Sequence, residues 1–332
     1  MRILMIGGTR FVGRHLVTAA IAGGHEVTLV HRGRTGADLF DGTARHVLVD
    51  RDDAGALAAA LAEGEWDATI DVCAYFPGQV TALADALGGR GGRFVLISTA
   101  SVYDPEGPGF TEDGRVHEFD GPAPTELTDG TYGGLKVLCE RVALDRFGAA
   151  TLILRPTYVA GPWDPHGTVD YWAHRIARGG EVLAPGDPDA PMQVIDARDI
   201  ADFTLAALAG GRSGTLHLVG ASATSTFRDL LDDVRTGVGR ADATLTWVDS
   251  AFLLAEGETS GSLPLWSQGD PVEDLTSTAD PAASLAAGLR VRSVAATARD
   301  VLAGGAPTAK AMSAEREAEL LGRWHAREAG AE

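Results

Sequence analysis

Short apolar runs alternate with amphipathic segments through the first half of the chain. The first run, RILMI (2–6), lies directly before glycines and is typical of a strand buried inside a parallel sheet. The next segment repeats apolar residues at helical spacing. This alternation predicts an α/β fold with a doubly wound parallel sheet and helices on both faces. We predict strands at 2–6, 26–30, 46–49, 67–72, 93–98 and 151–155, and helices at 56–64, 78–87, 131–147 and in the segment that carries Val12, Leu16, Val17, Ala20 and Ile21.

The pattern becomes less regular after Pro156. Segment 157–192 is rich in glycine, proline, aspartate and aromatic residues, a composition typical of loops. Near the end of the chain, 313–328 has helical spacing, and Ser313 is its predicted N-cap. Between these segments, three elements predict a return to the edge of the sheet: VID (194–196), a helix at 199–209 and TLHLV (215–219).

Composition narrows the possible functions. Of the 332 residues, 28 are basic and 46 are acidic, and the net charge of −18 argues against nucleic-acid binding. The two cysteines, Cys73 and Cys139, are too few for a disulfide framework and are not spaced as metal ligands. The first residues are too short for a signal-peptide core, and no apolar run reaches the ~18 residues of a membrane span. We therefore expect a soluble, cytoplasmic protein without a metal.

Tyr132 and Lys136 lie four residues apart in a predicted helix, so the phenol and the ammonium share one helical face. A nearby cation favours the phenolate, and we therefore expect Lys136 to lower the pKa of Tyr132 toward neutrality. Such a tyrosine can donate a proton to a carbonyl oxygen or accept one from an alcohol. The four-residue spacing alone is common on helix surfaces. Together with a glycine-rich turn near the start of the chain, it is a more specific indication of a catalytic site.

The sequence IGGTRFVG (6–13) connects the first predicted strand to the first predicted helix. Gly7 and Gly13 occupy the outer positions of a G-x-x-G-x-x-G turn, whose middle position is Arg10. Glycine permits a tight turn and close packing of helix on strand, and the N–H groups at the helix start can bind a pyrophosphate. The turn predicts a dinucleotide site, and a tight turn that binds no nucleotide is the alternative. The predicted contacts are Gly7, Thr9, Arg10, Phe11, Val12 and Gly13.

The end of the second predicted strand distinguishes NAD from NADP. An NAD site usually has an acidic residue there for the ribose 2′-hydroxyl, whereas this chain has His31, Arg32 and Arg34. Guanidinium groups suit a 2′-phosphate, so we predict NADP(H), with NAD as the alternative cofactor and solvated loop charges as the alternative role of the arginines. Asp50 follows the third predicted strand. Its carboxylate either accepts a hydrogen bond from the adenine amino group or caps the next turn.

Thr99 lies at the end of the fifth predicted strand, within LISTASVYD. Ligands of doubly wound sheets bind at the carboxyl ends of the strands, so this hydroxyl can hydrogen-bond a substrate carbonyl beside Tyr132. Ser98 and Ser101 are alternatives for the role. Tyr103 is interpreted as a packing residue.

Together these segments resemble the extended short-chain dehydrogenase/reductase family, the NAD(P)-dependent epimerase/dehydratase group. GGTRFVGRHL, STASVYD, YGGLK and RPTYVAGP match its landmarks in order, over about residues 1–220. The GGTRF form is similar to a divergent branch that includes isoflavone-type reductases and chloroplast RNA-binding relatives of plants. The resemblance implies a Rossmann fold and a catalytic set of Thr99, Tyr132 and Lys136, in which Lys136 also holds the nicotinamide ribose. Further residues are expected near the cofactor, although core packing explains the apolar ones equally well: Cys73, Ala74, Tyr75, Ser98, Pro156 and Val159.

One departure from the family bears on the substrate. Nucleotide-sugar members carry an arginine for the diphosphate in a stretch whose counterpart here is PMQVIDARD, and Met192 stands in its place. A thioether cannot pair with a diphosphate, although Arg155, Arg175 or Arg178 can compensate. Aromatic residues near the expected pocket indicate a flatter or less charged substrate: Tyr75, Phe76, Tyr158, Trp163, Tyr171, Trp172 and Trp266.

These observations predict an NADP(H)-dependent oxidoreductase that transfers hydride to or from a small carbonyl or alcohol substrate. The alternatives are a nucleotide-sugar epimerase or dehydratase with tightly bound NAD, and a non-catalytic dinucleotide-binding sensor. We expect no nucleic-acid partner and, because such folds often pair through helices, a homodimer. The predicted divisions are a dinucleotide-binding domain at 1–160 and about 193–220, a substrate-binding lobe at about 161–192 and 221–300, and a C-terminal helical segment at 301–332.

Overall fold

A computed structural model of the protein describes residues 1–104, 111–220, 222, 224–269, 276–305 and 312–331. The remaining positions of the predicted divisions (105–110, 221, 223, 270–275, 306–311 and 332) lie outside the described residues. The chain divides into two compact units. The first comprises Met1–Thr157, Ala197–Ala221 and Ala279–Arg290, and the second comprises Tyr158–Asp196, Ser222–Thr278 and Val291–Glu332. The C-terminal segment predicted to stand apart is thus grouped with the second unit.

Helices and strands are numbered here in chain order, within the described residues. The strands are β1 (Arg2–Ile6), β2 (Glu26–His31), β3 (Arg45–Leu48), β4 (Ala68–Asp71), β5 (Arg93–Ile97), β6 (Leu152–Pro156), β7 (Tyr158–Ala160), β8 (Glu181–Pro185), β9 (Val194–Asp196), β10 (Gly214–Leu218) and β11 (Thr244–Val248). The helices are α1 (Phe11–Ala22), α2 (Ala54–Leu61), α3 (Pro77–Leu87), α4 (Asp129–Phe147), α5 (Thr168–Ala177), α6 (Ala197–Ala209), α7 (Phe227–Val238), α8 (Ser250–Ala255), α9 (Ala282–Ala286), α10 (Val294–Ala303) and α11 (Ala314–Ala331).

The first unit is built on a seven-stranded sheet with the order β10-β6-β5-β4-β1-β2-β3, and its strands pair in parallel. Apolar side chains fill the strands because helices cover both faces; Ile3, Leu4 and Met5 are all fully buried. Leu4 packs in a cluster with residues of α2, α3 and α4, while α1 packs against α6. The predicted doubly wound α/β fold is confirmed.

The strand order reverses between β1 and β4. In register, Ile6 at the end of β1 lies between Val30 of β2 and Asp71 of β4. Open α/β sheets bind their ligands outside the carboxyl ends of the strands, at this kind of switch point. We therefore expect a ligand site among the segments that follow β1, β2, β4 and β5.

The second unit has its own core. Trp172 of α5 is fully buried and donates its Nε1–H to the Pro264 carbonyl oxygen at 2.9 Å. Helices α5, α7 and α10 pack together around it. The predicted C-terminal helix is present as α11, and Ser313 caps it by accepting a hydrogen bond from the Arg316 N–H at 3.2 Å.

Several strands differ from the prediction. The sequence predicts VID as a return to the edge of the main sheet, but this segment forms β9 and pairs with β7 in a separate two-stranded sheet. A second small sheet pairs β8 with β11. Sequence reasoning missed β7, β8 and β11, because strands of three to five residues among glycines and prolines show too little periodicity. TLHLV does reach the main sheet, where β10 pairs with β6. No helix in the described part of the chain is both long and apolar enough to cross a membrane.

Candidate functional site

The turn between β1 and α1 is packed too tightly to accept side chains. A Cβ atom at Gly13 would lie 2.6 Å from the Gly8 Cα atom, and Gly7 has a left-handed φ of +93°. Arg10 is the N-cap of α1, yet its side chain makes no capping hydrogen bond, and the first turn contains no acidic residue. The N–H groups and the positive end of the helix dipole thus remain available to an anion. Thr9, Phe11 and Val12 surround this turn and are partly exposed.

The end of β2 presents two free cations. Arg32 and Arg34 are exposed, and neither guanidinium has a hydrogen-bond or ion-pair partner within the described residues. His31 is 7% exposed. Asp50, after β3, accepts a hydrogen bond from the Asp52 N–H at 3.2 Å, so the structure contains the turn cap that was one of its two predicted roles.

A buried ion pair holds the segment after β4. Both terminal nitrogens of Arg51 lie 2.8 Å from the carboxylate oxygens of Asp71, and Asp71 is fully buried. The same carboxylate accepts a hydrogen bond from the Cys73 N–H at 3.0 Å, which fixes the start of the Cys73–Ala74 segment. Sequence reasoning missed this pair. Its signal was a single acid, Asp71, inside an otherwise apolar strand.

Thr99 and Tyr132 meet at the end of β5. A Cβ atom at Gly133 would lie 1.9 Å from the Ser101 carbonyl oxygen, so α4 packs directly on the 3₁₀ helix Ala100–Val102. This close packing places the Thr99 side chain beside the Tyr132 phenol, near enough to lower its pKa. Thr99 also accepts a hydrogen bond from the Ser101 N–H at 3.1 Å. The structure brings two of the three predicted catalytic side chains into contact.

The pKa of Tyr132 differs from the prediction. Burial raises the pKa of Tyr132 to about 12, and the neighbouring Thr99 side chain acts in the opposite direction. Lys136 is not among the groups that shift it. The prediction that Lys136 lowers this pKa toward neutrality is therefore wrong, because its ammonium is bound elsewhere.

Lys136 is held by the backbone. Its Nζ donates to the carbonyl oxygen of Ala74 at 2.9 Å and to that of Ile97 at 2.8 Å. The side chain is 2% exposed, and burial lowers its pKa. An ammonium has three donor hydrogens, so one remains for a ligand. Lys136 thereby connects the ends of β4 and β5, and the ring of Tyr75 lies 5.9 Å from Nζ.

Ser98 points away from Thr99. Its hydroxyl donates to Glu140 Oε1 at 2.5 Å, and Arg155 binds the same carboxylate through Nε at 3.0 Å and Nη2 at 2.6 Å. Tyr103 accepts a hydrogen bond from Arg155 at 2.8 Å and is 3% exposed, so it is a packing residue, as predicted. With Ser98 occupied, Thr99 and the exposed Ser101 are the candidate hydroxyls that remain, and the Thr99 hydroxyl donates to Ser101 Oγ at 3.1 Å. Thr99 is the one of the two that lies beside the Tyr132 phenol. Sequence reasoning missed Glu140, although it repeats the four-residue spacing of Tyr132 and Lys136.

The other expected residues are distributed as follows. Ala74 is buried, Cys73 is half-buried, and the exposed ring of Tyr75 lies 6.4 Å from that of Tyr132, centre to centre. Pro156 is buried at the end of β6. Val159 lies on β7 of the second unit, where it is partly exposed.

Most of the second unit's candidates are core residues. Tyr171 and Trp172 are buried in its hydrophobic cluster, and they are not pocket residues. Met192 and Trp266 line a cavity of about 50 Å³ within that unit. Of these candidates in the second unit, Trp163 is exposed, with 44% of its surface accessible. Histidines 166 and 174, which had no predicted role, are hydrogen-bonded to neighbouring backbone or aspartate groups.

Two of the three arginines proposed to compensate for the missing diphosphate-binding arginine are occupied. Arg155 pairs with Glu140, and Arg175 pairs with Glu317 while also donating to the Gly179 carbonyl at 3.2 Å. Arg178 is exposed. Among the described residues, no group of three or more histidine, cysteine, aspartate or glutamate side chains is arranged to hold a metal ion.

Curated proteins similar to this chain differ in their activities. The chain is 25% identical over 213 residues to the chloroplast stem-loop binding protein of 41 kDa b of Arabidopsis thaliana, covering 60% of this chain and 53% of that protein. It is 34% identical over 175 residues to a probable low-salt glycan biosynthesis reductase of Haloferax volcanii, covering 51% of this chain and 52% of that protein. The matched region thus spans about half the length of each relative.

Solved structures share the fold. The UDP-glucose 4-epimerase of Thermus thermophilus, in complex with NAD, aligns with a TM-score of 0.64 and 21% identity over 92% of this chain and 98% of that one. A family model described as the NAD dependent epimerase/dehydratase family matches residues 3–220, which include the glycine turn, Thr99, Tyr132 and Lys136. The chain therefore belongs to the NAD-dependent epimerase/dehydratase family, a class of NAD(P)-dependent enzymes.

Proposed function

We propose that the protein is an NADP(H)-dependent reductase that transfers hydride to a small carbonyl substrate, or from the corresponding alcohol. The observation that carries this proposal is the position of Thr99 beside the Tyr132 phenol at the carboxyl end of β5, with Lys136 fixed one helical turn along α4. A hydroxyl, a phenol and an ammonium at such an edge suit the reversible protonation of a substrate oxygen.

The residues around the glycine turn fit a nicotinamide dinucleotide. The uncapped start of α1 has free N–H groups and no acidic side chain, and the contact between Gly13 and Gly8 leaves the turn open to a pyrophosphate. The structurally similar Thermus epimerase binds NAD, and the family is NAD-dependent. The guanidinium groups of Arg32 and Arg34, which have no partner in the described part of the chain, favour the 2′-phosphate of NADP(H) over NAD. A bound nicotinamide supplies or accepts the hydride.

Tyr132 transfers the proton. A phenol whose pKa is about 12 stays protonated near neutral pH, so it can donate to the oxygen of a carbonyl as that oxygen gains charge. Donation leaves a phenolate that solvent reprotonates. The protonation state of Tyr132 therefore suits reduction of a carbonyl better than oxidation of an alcohol.

Thr99 and Lys136 have separate roles in this proposal. The Thr99 hydroxyl orients the substrate oxygen, because its side chain lies beside the phenol whereas Ser98 is occupied by Glu140. Lys136 holds the ends of β4 and β5 through two carbonyls, and its third donor hydrogen is available to a ribose hydroxyl of the cofactor. Positioning of this kind accounts for a large share of catalysis in such sites.

The principal alternative is epimerisation or dehydration of a nucleotide sugar with NAD kept bound. The family and the similar UDP-glucose 4-epimerase support it. Against it, Met192 stands in place of the diphosphate arginine, and Arg155 and Arg175 are committed to buried carboxylates. The net charge of −18 also argues against RNA as a partner, despite the name of the chloroplast relative.

A turnover assay separates the two activities. Purified protein is tested with NADPH and a panel of small aldehydes and ketones, and separately with UDP-sugars. We expect net NADPH consumption that falls about 10²–10⁴-fold in Tyr132→Phe, while NADPH affinity from fluorescence titration changes less than about twofold. Tyr75→Phe is the matched control, since it removes a neighbouring phenol. Conversion of a UDP-sugar by protein that carries tight NAD, without net NADPH consumption, would favour the epimerase.

A further inference from the structure

Two histidines from adjacent strands meet beside the proposed 2′-phosphate site. His31 is the last residue of β2, and His46 lies on β3. Nε2 of His31 is 2.8 Å from Nδ1 of His46, and the two rings are edge-to-face with their centres 5.1 Å apart. The N–H of Gly33 contacts Nδ1 of His31 at 3.2 Å. None of these contacts has a part in the proton transfer described above.

The Gly33 N–H fixes the direction of the whole set of hydrogen bonds. A backbone N–H can only donate, so Nδ1 of His31 must be unprotonated and accept. The proton of neutral His31 is then on Nε2, which donates to Nδ1 of His46. The proton of neutral His46 is in turn on Nε2, which faces Asp41 Oδ1 at 3.5 Å. Both rings are therefore Nε2–H tautomers.

This arrangement leaves His31 no acceptor for a ribose. An NAD site uses a carboxylate at the end of β2 to accept hydrogen bonds from the ribose hydroxyls. Here Nδ1 of His31 already accepts from Gly33 and Nε2 carries the proton. The same contacts hold the turn in which Arg32 and Arg34 flank Gly33.

We propose that His46 is a positioning residue for NADP(H) selectivity: it holds the His31 ring so that Gly33 is fixed and Arg32 and Arg34 are presented to the adenosine 2′-phosphate. This inference rests on the proposed NADP(H) dependence. His46 acts through His31 and touches no reacting atom.

The arrangement depends on pH with a defined sign. Protonation of His31 removes the acceptor for Gly33, and protonation of His46 removes the acceptor for His31. Burial lowers the pKa of His31, and the charge of His46 lowers it further, so the hydrogen bonds persist above the ordinary histidine pKa of ~6.5 and are lost as pH falls below it. The other charged groups near the pair are Asp41, whose Oδ1 lies 3.5 Å from His46 Nε2, and Arg32 and Arg34, which flank Gly33 in sequence.

The test compares three proteins at pH 8 by fluorescence titration with NADPH and with NADH. His46→Leu removes the acceptor, and we expect its Kd for NADPH to rise about tenfold while its Kd for NADH changes less than about twofold. His46→Asn places an amide oxygen near the former Nδ1, and we expect it to retain most of the NADPH affinity. Equal losses for both cofactors in His46→Leu would overturn the inference.

A second measurement does not depend on any variant. Long-range ¹H–¹⁵N spectra of the wild-type imidazoles, recorded without cofactor at pH 8, should show both His31 and His46 as Nε2–H tautomers. An Nδ1–H tautomer for His31 would contradict the proposal even if His46→Leu fails to fold.

The outcomes also distinguish this inference from the proposed function. A wild-type protein that binds NADH more tightly than NADPH contradicts the NADP(H) assignment itself. A wild type that prefers NADPH, together with His46→Leu of unchanged preference, contradicts only the role of His46. The 2′-phosphate of NADPH itself titrates with a pKa near 6, and this affects its affinity for all three proteins alike. Differences among the three proteins in how NADPH affinity changes between pH 8 and pH 5.5 therefore report the contribution of the histidines.

Discussion

Glu140 of α4 binds Arg155 of β6 through both of its carboxylate oxygens, with Nε–Oε1 and Nη2–Oε2 distances of 3.0 and 2.6 Å. Glu140 lies about two helical turns after Tyr132, and it also accepts the hydroxyl of Ser98, the residue before Thr99. One buried carboxylate thus connects the helix that carries the proposed acid to the strand that carries its partner hydroxyl. Ser98, Glu140 and Arg155 are each less than 7% exposed.

Breaking this pair should destabilise the fold. Glu140→Gln leaves the Arg155 guanidinium buried without a counter-charge, and we expect the free energy of unfolding in urea to fall by about 3–5 kcal/mol. The double variant Glu140→Met/Arg155→Met removes both charges, and we expect it to lose less than Glu140→Met or Arg155→Met alone. Losses that simply add would show that the two groups do not depend on each other.

The raised pKa of Tyr132 can be measured directly. Tyrosinate absorbance is titrated in the wild type and in Tyr132→Phe, and we expect the difference to show one phenol ionising near pH 12. Because the folded pKa lies above the unfolded value of 10, the phenol contributes stability below about pH 10 that is lost as pH rises toward 12. Added NADP⁺ should shift the midpoint to lower pH, since a nearby positive charge favours the phenolate. A midpoint below pH 9 without cofactor would contradict this account.

The packing of α4 on the 3₁₀ helix Ala100–Val102 yields a third prediction. Gly133→Ala places a Cβ atom 1.9 Å from the Ser101 carbonyl oxygen, so α4 must move away and weaken the contact between Tyr132 and Thr99. We expect kcat to fall at least tenfold and the free energy of unfolding to fall by about 1–3 kcal/mol. Gly130→Ala in the same helix meets no atom within 4 Å, and we expect a gain of about 0.5–1 kcal/mol with activity unchanged. Similar behaviour of the two variants would refute the argument.

The free cations after β2 should set cofactor preference. Arg32→Ala/Arg34→Ala removes the groups that pair with a 2′-phosphate, and we expect the Kd for NADPH to rise about 10- to 100-fold at low salt. The Kd for NADH should change less than about threefold. Arg290→Ala/Arg299→Ala, which likewise removes two exposed arginines, is the control for net charge. A parallel loss of NADH affinity would show that these arginines bind something common to both cofactors.

The parallel sheet was predictable because a buried strand is a local signal. The apolar run RILMI is itself the signal for a buried strand, and β1 begins and ends where the sequence predicts. Strand β9 was recognised in VID, but its partner was not predictable, because β7 and β9 are defined by pairing with each other across more than thirty residues. The glycine turn was recognisable for the same local reason, since its spacing is contained in seven residues.

The pKa values in the site were harder to predict than the residues that form it. Tyr132 and Lys136 were identified by spacing, yet the state of the ammonium depends on the carbonyls of Ala74 and Ile97, which are 62 and 39 residues away in sequence. Burial of the phenol is likewise a tertiary property. Spacing on one helix predicts which groups share a face, whereas the pKa depends on everything that packs against that face.

The close contact between Gly13 and Gly8 makes the glycine turn unsuitable for protein engineering, in contrast to the exposed segment after β2. Within the turn, a single added methyl group has no room, so a mutagenesis library that includes positions 8 or 13 would yield mainly inactive clones. The rim after β2 projects its arginines into solvent, where side chains of any size are accommodated. Directed evolution of the nucleotide preference should therefore randomise positions 32 and 34 and leave the turn between β1 and α1 untouched.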